Sequence, residues 1–231
     1  MTVSRDPYVL EFVREQTPEL CEFAVEENPN VLQFVKEQTQ KICWNAVEQS
    51  GYALRHVKEQ TSDLCWIALE HDPYILEFIH EQTPEMCKRA IERDPYTLQF
   101  VKSQTPELCL LAIQKNAFTL QYAKEQTPEL CRAAVEHNGY ALQLIKEQTP
   151  ELCSLAIRKY PNALKFVKDQ TPEICMEALK QNSPCIKACK ESNSRDMSIH
   201  SSKITLLQMN PIKNSVNLIY KIFQILSNWK V

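Results

Sequence analysis

The sequence predicts an all-α fold: an α-solenoid of eight 22-residue two-helix repeats, followed by a partial ninth and a C-terminal helical tail. Three observations predict it. Cysteines stand at 21, 43, 65, 87, 109, 131, 153 and 175, one every 22 residues, and columns of leucine from 10, glutamine from 16 and alanine from 24 keep the same step. Each unit divides into halves of 11 residues, as laying DPYVLEFVREQ over TPELCEFAVEE makes visible, and each half carries apolar residues at helical spacing. Only two glycines occur in 231 residues, too few for the tight turns of a β-sandwich or for a Gly-rich phosphate cradle.

The first helix of each unit opens on a capping residue followed by proline at Asp6, Asn28, Asp72 and Asp94. Its stripe is Leu10, Phe12 and Val13 in the first copy, and Arg14, Lys36 and their equivalents close it at the negative end of its dipole. The second helix opens on Thr-Pro at 17, 83, 105, 127, 149 and 171, with Glu19 and its equivalents in the first turn and Leu20, Cys21, Ala24 and Val25 as the stripe. Both helices are predicted to run for roughly nine residues, with joints of only a residue or two. A helix that short is marginal in water, and neither can hide its stripe alone. Successive pairs must therefore stack on a shared core.

Eight units run from 6 to 181, and a degenerate half repeat at 182–193 completes a solenoid spanning 1–193. The remaining 194–231 form a non-repeat tail, in which Val216, Ile219, Phe223 and Leu226 predict a helix at about 213–230. Such a helix can cap the last open face of the stack, or lie on a membrane surface. It cannot span one, because Lys221 and Lys230 interrupt it.

The repeated QTPELC(x)2AI(x)2NPYALQ(F/Y)VKEQTPE pattern, plainest at 82–107 and 148–173, resembles a family of short tandem helical repeats of unknown function that abound in giant DNA viruses and occur in some bacteria. The resembling repeats cover about three-quarters of the chain. The resemblance implies an all-helical interaction scaffold and a viral origin. The family has no catalytic residues to carry over.

Ten cysteines raise the question of disulfides or metal. The N-terminal MTVSRDPY has no apolar core of a secretory signal, which predicts a reducing, cytoplasmic setting, the host cytoplasm if the source is viral. Equivalent cysteines in stacked units would lie roughly 8–10 Å apart, beyond the reach of about 7 Å for bridging. They read as small core hydrophobes. Cys175, Cys185 and Cys189 are the candidate metal ligands, against the simpler reading that the last two replace core residues of the decayed ninth unit. Histidines 56, 71, 80, 137 and 200 sit at four different kinds of repeat position and share no one fixed offset to a cysteine or serine, so neither catalysis nor a cofactor is expected.

Two polar columns admit two readings each. Gln16 and its equivalents either satisfy backbone groups at the turn between helices and link to their neighbours, or form a recognition ladder for an extended peptide. The column of Arg14, Lys36 and their equivalents could track phosphates, but residues 1–190 hold 21 basic and 27 acidic side chains, a field that repels polyanions. Nucleic acid is accordingly disfavoured as a partner.

A binding surface is expected where the repeats differ, because core and caps must be uniform while recognition need not be. The two positions after each cysteine vary most, and the candidate contact residues are Trp44, Trp66, Lys88, Arg89, Leu110 and Arg132. The tyrosines at 8, 52, 74, 96 and 140 are expected to pack between units. The expected function is that of a non-enzymatic scaffold binding another protein. The alternatives are a nucleic-acid-binding helical repeat protein and a structural, self-assembling particle component.

Overall fold

A computed structural model of the chain describes residues 6–180, and every regular element among them is helical. The expected half repeat at 182–193, the tail helix at about 213–230, Cys185 and Cys189 lie outside the described residues. Eight α-helices run α1 (Pro18–Glu27), α2 (Gln40–Gln49), α3 (Ser62–His71), α4 (Pro84–Arg93), α5 (Pro106–Lys115), α6 (Pro128–His137), α7 (Pro150–Lys159) and α8 (Pro172–Lys180). They alternate with eight 3-10 helices: η1 (Pro7–Phe12), η2 (Pro29–Phe34), η3 (Gly51–His56), η4 (Pro73–Phe78), η5 (Pro95–Phe100), η6 (Ala117–Tyr122), η7 (Gly139–Leu144) and η8 (Pro161–Phe166). The described residues divide within α6, between Ala133 and Ala134, into two compact units.

The first helix of each repeat is therefore shorter and tighter than expected: six residues of 3-10 helix, not about nine of α-helix. Its last bond runs from the Val13 N–H to the Leu10 carbonyl at 3.2 Å, and Val13 then turns extended at φ −76°, ψ 119°. The Leu10 carbonyl also accepts from the Gln16 amide at 3.0 Å. That second donor comes from beyond the helix and helps to hold the chain in the turn. Residues 13–17 consequently form a bent connection, longer than the expected joint. Arg14 and its equivalents lie in this connection and do not close the first helix.

The other joint is as short as predicted. Asn28 is at once the C-cap of α1 and the N-cap of η2, its N–H reaching the Ala24 carbonyl at 3.0 Å and its side chain accepting from the Asn30 N–H at 3.0 Å. Asp72, Asp94 and Asn116 repeat the arrangement. Each described threonine cap takes the N–H three residues on, as Thr17 does from Leu20 at 3.3 Å. Gly51 stands where five of the repeats carry proline, and a Cβ there would come within 2.8 Å of the Ala68 carbonyl and 2.5 Å of Ile75.

In the first unit, α1 to α5 contact one another in sequence and so do η1 to η6, giving an α layer and a 3-10 layer with the core between them. In the second, α7 packs on α8 and η7 on η8. Leu10, Leu32, Leu54, Leu76, Leu98, Leu120, Leu142 and Leu164 are fully buried, as is the alanine column. The tyrosines do pack between repeats. Tyr8, Tyr52 and Tyr74 meet Phe34, Phe78 and Phe100 of the following repeat edge to face, at 5.7–6.1 Å between ring centres. The first repeat is more open than the others: Val9, Val13 and Leu20 are half-buried where their equivalents are buried, and Phe12 is 78% exposed.

Candidate interaction surface

The columns that looked chemically suggestive are engaged inside the fold. Gln16 donates its amide N–H groups to the Leu10 carbonyl at 3.0 Å and to the Phe34 carbonyl of the next repeat at 2.9 Å. Its oxygen accepts the Lys36 backbone N–H at 2.9 Å and faces the Cys21 thiol at 3.8 Å. Gln38, Gln60, Gln82 and Gln104 repeat the set, and Gln148 repeats it in the second unit. With both amide protons and the oxygen committed, these side chains offer nothing to an extended peptide.

The lysine column is also spent internally. Lys36 extends its ammonium back to the Val13 and Arg14 carbonyls of the preceding repeat, at 3.2 and 2.8 Å. Lys58 does the same to Val35 and Lys36, and Lys102 to Ile79 and His80. Lys168 repeats it on Ile145 and Lys146 in the second unit. These are inter-repeat clamps on orphan carbonyls of the connection, a poor arrangement for gripping phosphates.

Seven thiols, from Cys21 to Cys153, are buried, and loss of solvation pushes their pKa values up. Raised thiols are protonated and poorly nucleophilic. Cys175 is half-buried, and no group of three or more metal-ligating side chains is assembled among the described residues. His56 is lowered by desolvation and by the adjacent Arg55, whose Nε donates to it at 2.8 Å. A depression of about 220 Å³ beside Gln16 and Lys36 is small for a ligand site.

What varies is the outer face of the α layer. Helices α2 to α7 bury the residues equivalent to Leu20, Cys21, Ala24 and Val25 and turn outward those equivalent to Glu19, Glu22, Phe23 and Glu26. Trp44 and Trp66 occupy the same slot on the contacting helices α2 and α3; Trp44 is 37% exposed and Trp66 half-buried. Lys88 on α4 and Arg132 on α6 are exposed, and Leu110 on α5 is half-buried in that same slot.

Arg89, one place further along α4, is paired across the α3–α4 contact. It grips Glu70 with two N–H groups at 2.9 and 3.1 Å, and this hydrogen bonding draws the Glu70 carboxyl below its ordinary range while raising Arg89. Lys41 and the half-buried Glu22 form another bridge at 2.6 Å between α2 and α1. Within the second unit Arg158 and Glu177 do so at 2.6 Å between α7 and α8.

The sequence-derived set omits Phe23, which is 39% exposed on α1, and the half-buried Ile67 on α3. Both sit one place beyond the tryptophan slot, where the repeats also vary, so the signal that singles out Trp44 reaches them too. Phe23, Trp44, Trp66 and Ile67 make an aromatic and aliphatic strip across α1 to α3. No protein-family model matches the chain, and no curated protein or solved structure is found to be similar to it.

Proposed function

We propose that the protein is a non-enzymatic repeat scaffold that holds another protein against the outer face of its α-helices, with Trp44 and Trp66 at the centre of the contact. One observation carries this reading. Large apolar side chains are left in water at the positions where the repeats are free to differ, while the uniform columns are consumed in building the stack. Lys88, Arg89, Leu110 and Arg132 extend the surface along α4 to α6, where they set which partners fit. The setting that goes with this role is the cytoplasm, that of an infected host where the chain is viral, as its resemblance to the giant-virus repeats implies.

Affinity purification of the tagged chain from its native setting, with mass spectrometry of what is retained, tests the proposal. A discrete partner is expected whose recovery falls about ten-fold or more with Trp44→Ala, the loss of one hot-spot aromatic, while the melting temperature stays within a few degrees. Unchanged recovery with both Trp44→Ala and Trp66→Ala would reject this face as the binding surface.

A further inference from the structure

The α1–α3 part of this surface carries more than exposed aromatics. Numbering along each helix places three rows on the outer face. The middle row holds Phe23, Trp44, Trp66 and Ile67, with Glu22 beside Phe23 and Asn45 beside Trp44. One flank is the first-turn row of Glu19, Lys41 and Asp63, and the other is Glu26, Glu48 and Glu70. Of the six flanking residues five are acidic, and Lys41, the one base, is neutralised by Glu22 at 2.6 Å. Glu70 is held by Arg89 from α4, whereas Glu19, Glu26, Glu48 and Asp63 form no ion pair among the described residues.

The flanking rows are seven residues apart, about 10 Å at 1.5 Å per residue, close to the diameter of one helix. Three stacked helices at roughly 8–10 Å spacing present a strip on the order of 25 Å long, the length of about 17 helical residues. The strip also has an end. On α4 the middle row becomes Lys88 and Arg89, so the character reverses from apolar between acids to basic.

We infer that α1 to α3 form a docking site for a basic amphipathic helix, with an apolar stripe seated on Phe23, Trp44, Trp66 and Ile67 and lysine or arginine on both shoulders facing the two acidic rows. This deepens the proposed function and rests on its reading of the α face as a binding surface. The apolar strip supplies the burial, and the unpaired carboxylates select the sign of the partner. On α4 the apolar row gives way to Lys88 and Arg89, each already paired with an acid, so a helix that slides past α3 loses the apolar contact that seats it.

The test uses the full chain and two synthetic helical peptides of about 18 residues, long enough to cross three helices: one with a leucine stripe flanked by lysines, the other with the same stripe flanked by glutamates. Titration is followed by tryptophan emission and by anisotropy of labelled peptide at about 0.1 M salt. The lysine peptide is expected to bind with micromolar affinity, shift the tryptophan emission to the blue, and bind at least ten-fold more tightly than the glutamate peptide.

Phe23→Ala with Trp44→Ala, and separately Glu26→Lys with Glu48→Lys, should each weaken it about ten-fold or more. Glu81→Lys with Glu125→Lys, the same charge change in the connections between 3-10 and α-helices, should alter it by less than two-fold. Hydrogen-exchange protection on binding should fall on α1 to α3, which keeps the test open if a double variant is unstable.

Equal binding of both peptides, equal weakening by the Glu81→Lys and Glu125→Lys control, or protection outside α1 to α3 would overturn the inference. If the lysine peptide fails to bind while Trp44→Ala still releases a native partner, the inference falls and the proposed function stands. If native partner recovery is also indifferent to Trp44 and Trp66, both fall.

Discussion

Gln104 donates to the Leu98 carbonyl of its own repeat and the Tyr122 carbonyl of the next, both at 2.9 Å, and accepts the Lys124 N–H at 2.9 Å. Leucine at this position fills the space and returns none of these bonds, leaving the Tyr122 carbonyl and the Lys124 N–H to find water in a half-buried joint while the Leu98 carbonyl keeps the Val101 N–H. A loss of about 2–4 kcal/mol is expected, given about 1–3 kcal/mol per stranded group with partial rescue by water. Urea unfolding of Gln104→Leu measures it, and a change below about 0.5 kcal/mol would mean that water replaces the amide at no cost. The role of this residue was half legible. Its strict period and its place before the threonine cap mark it as a group that satisfies the turn and links to its neighbour, but which carbonyl it reaches, that of Tyr122, depends on how the next repeat is seated. The lysines hid their role more thoroughly, since nothing in Lys102 announces that its ammonium turns back to Ile79 and His80 of the preceding repeat.

At the scale of the element, the α-helices were readable because every determinant is local: a threonine cap, proline at the first position, an acid in the first turn and apolar residues at 3.6 spacing. The 3-10 helices were not. Whether Leu10 accepts from Val13 or from the residue beyond is decided partly by Gln16, which occupies the same carbonyl from a connection whose path is tied by the following repeat. That connection explains one irregularity. His80 stands in the lysine column, so the η3–η4 joint carries imidazole where Lys102 in the next joint bridges two carbonyls. His80→Lys should let an ammonium reach the Val57 and Lys58 carbonyls and stabilise the chain by about 0.5–1.5 kcal/mol, the range for exposed, partly screened bonds of this kind. A lower urea midpoint for His80→Lys would show that the clamp is not transferable between joints.

Across the whole molecule the buried thiols add a dependence on pH. Burial raises the pKa of Cys21, Cys43, Cys65, Cys87, Cys109, Cys131 and Cys153, so the folded state favours the neutral thiol more than the unfolded chain does. A group raised on folding contributes its stability in full below the unfolded value, about 8.5 for a thiol, and loses it as pH climbs through the folded value. Tyr52, raised by its hydrogen bond to Asp72, acts in the same direction at higher pH. The urea midpoint is therefore expected to hold from pH 7 to about 8.5 and to fall from there to pH 10. A midpoint that is flat or rising over that upper range would contradict the burial of the column.

Among the described residues, hydrogen bonds and ring contacts between neighbouring repeats join residues up to 26 positions apart, as Tyr8 and Phe34 do. During synthesis a repeat thus waits only for the one behind it. Once residue 34 has left the ribosome, Gln16 can find its second carbonyl and Tyr8 its ring, and the nascent chain is able to zip up in the order it is translated, without holding sticky surface open for a distant strand.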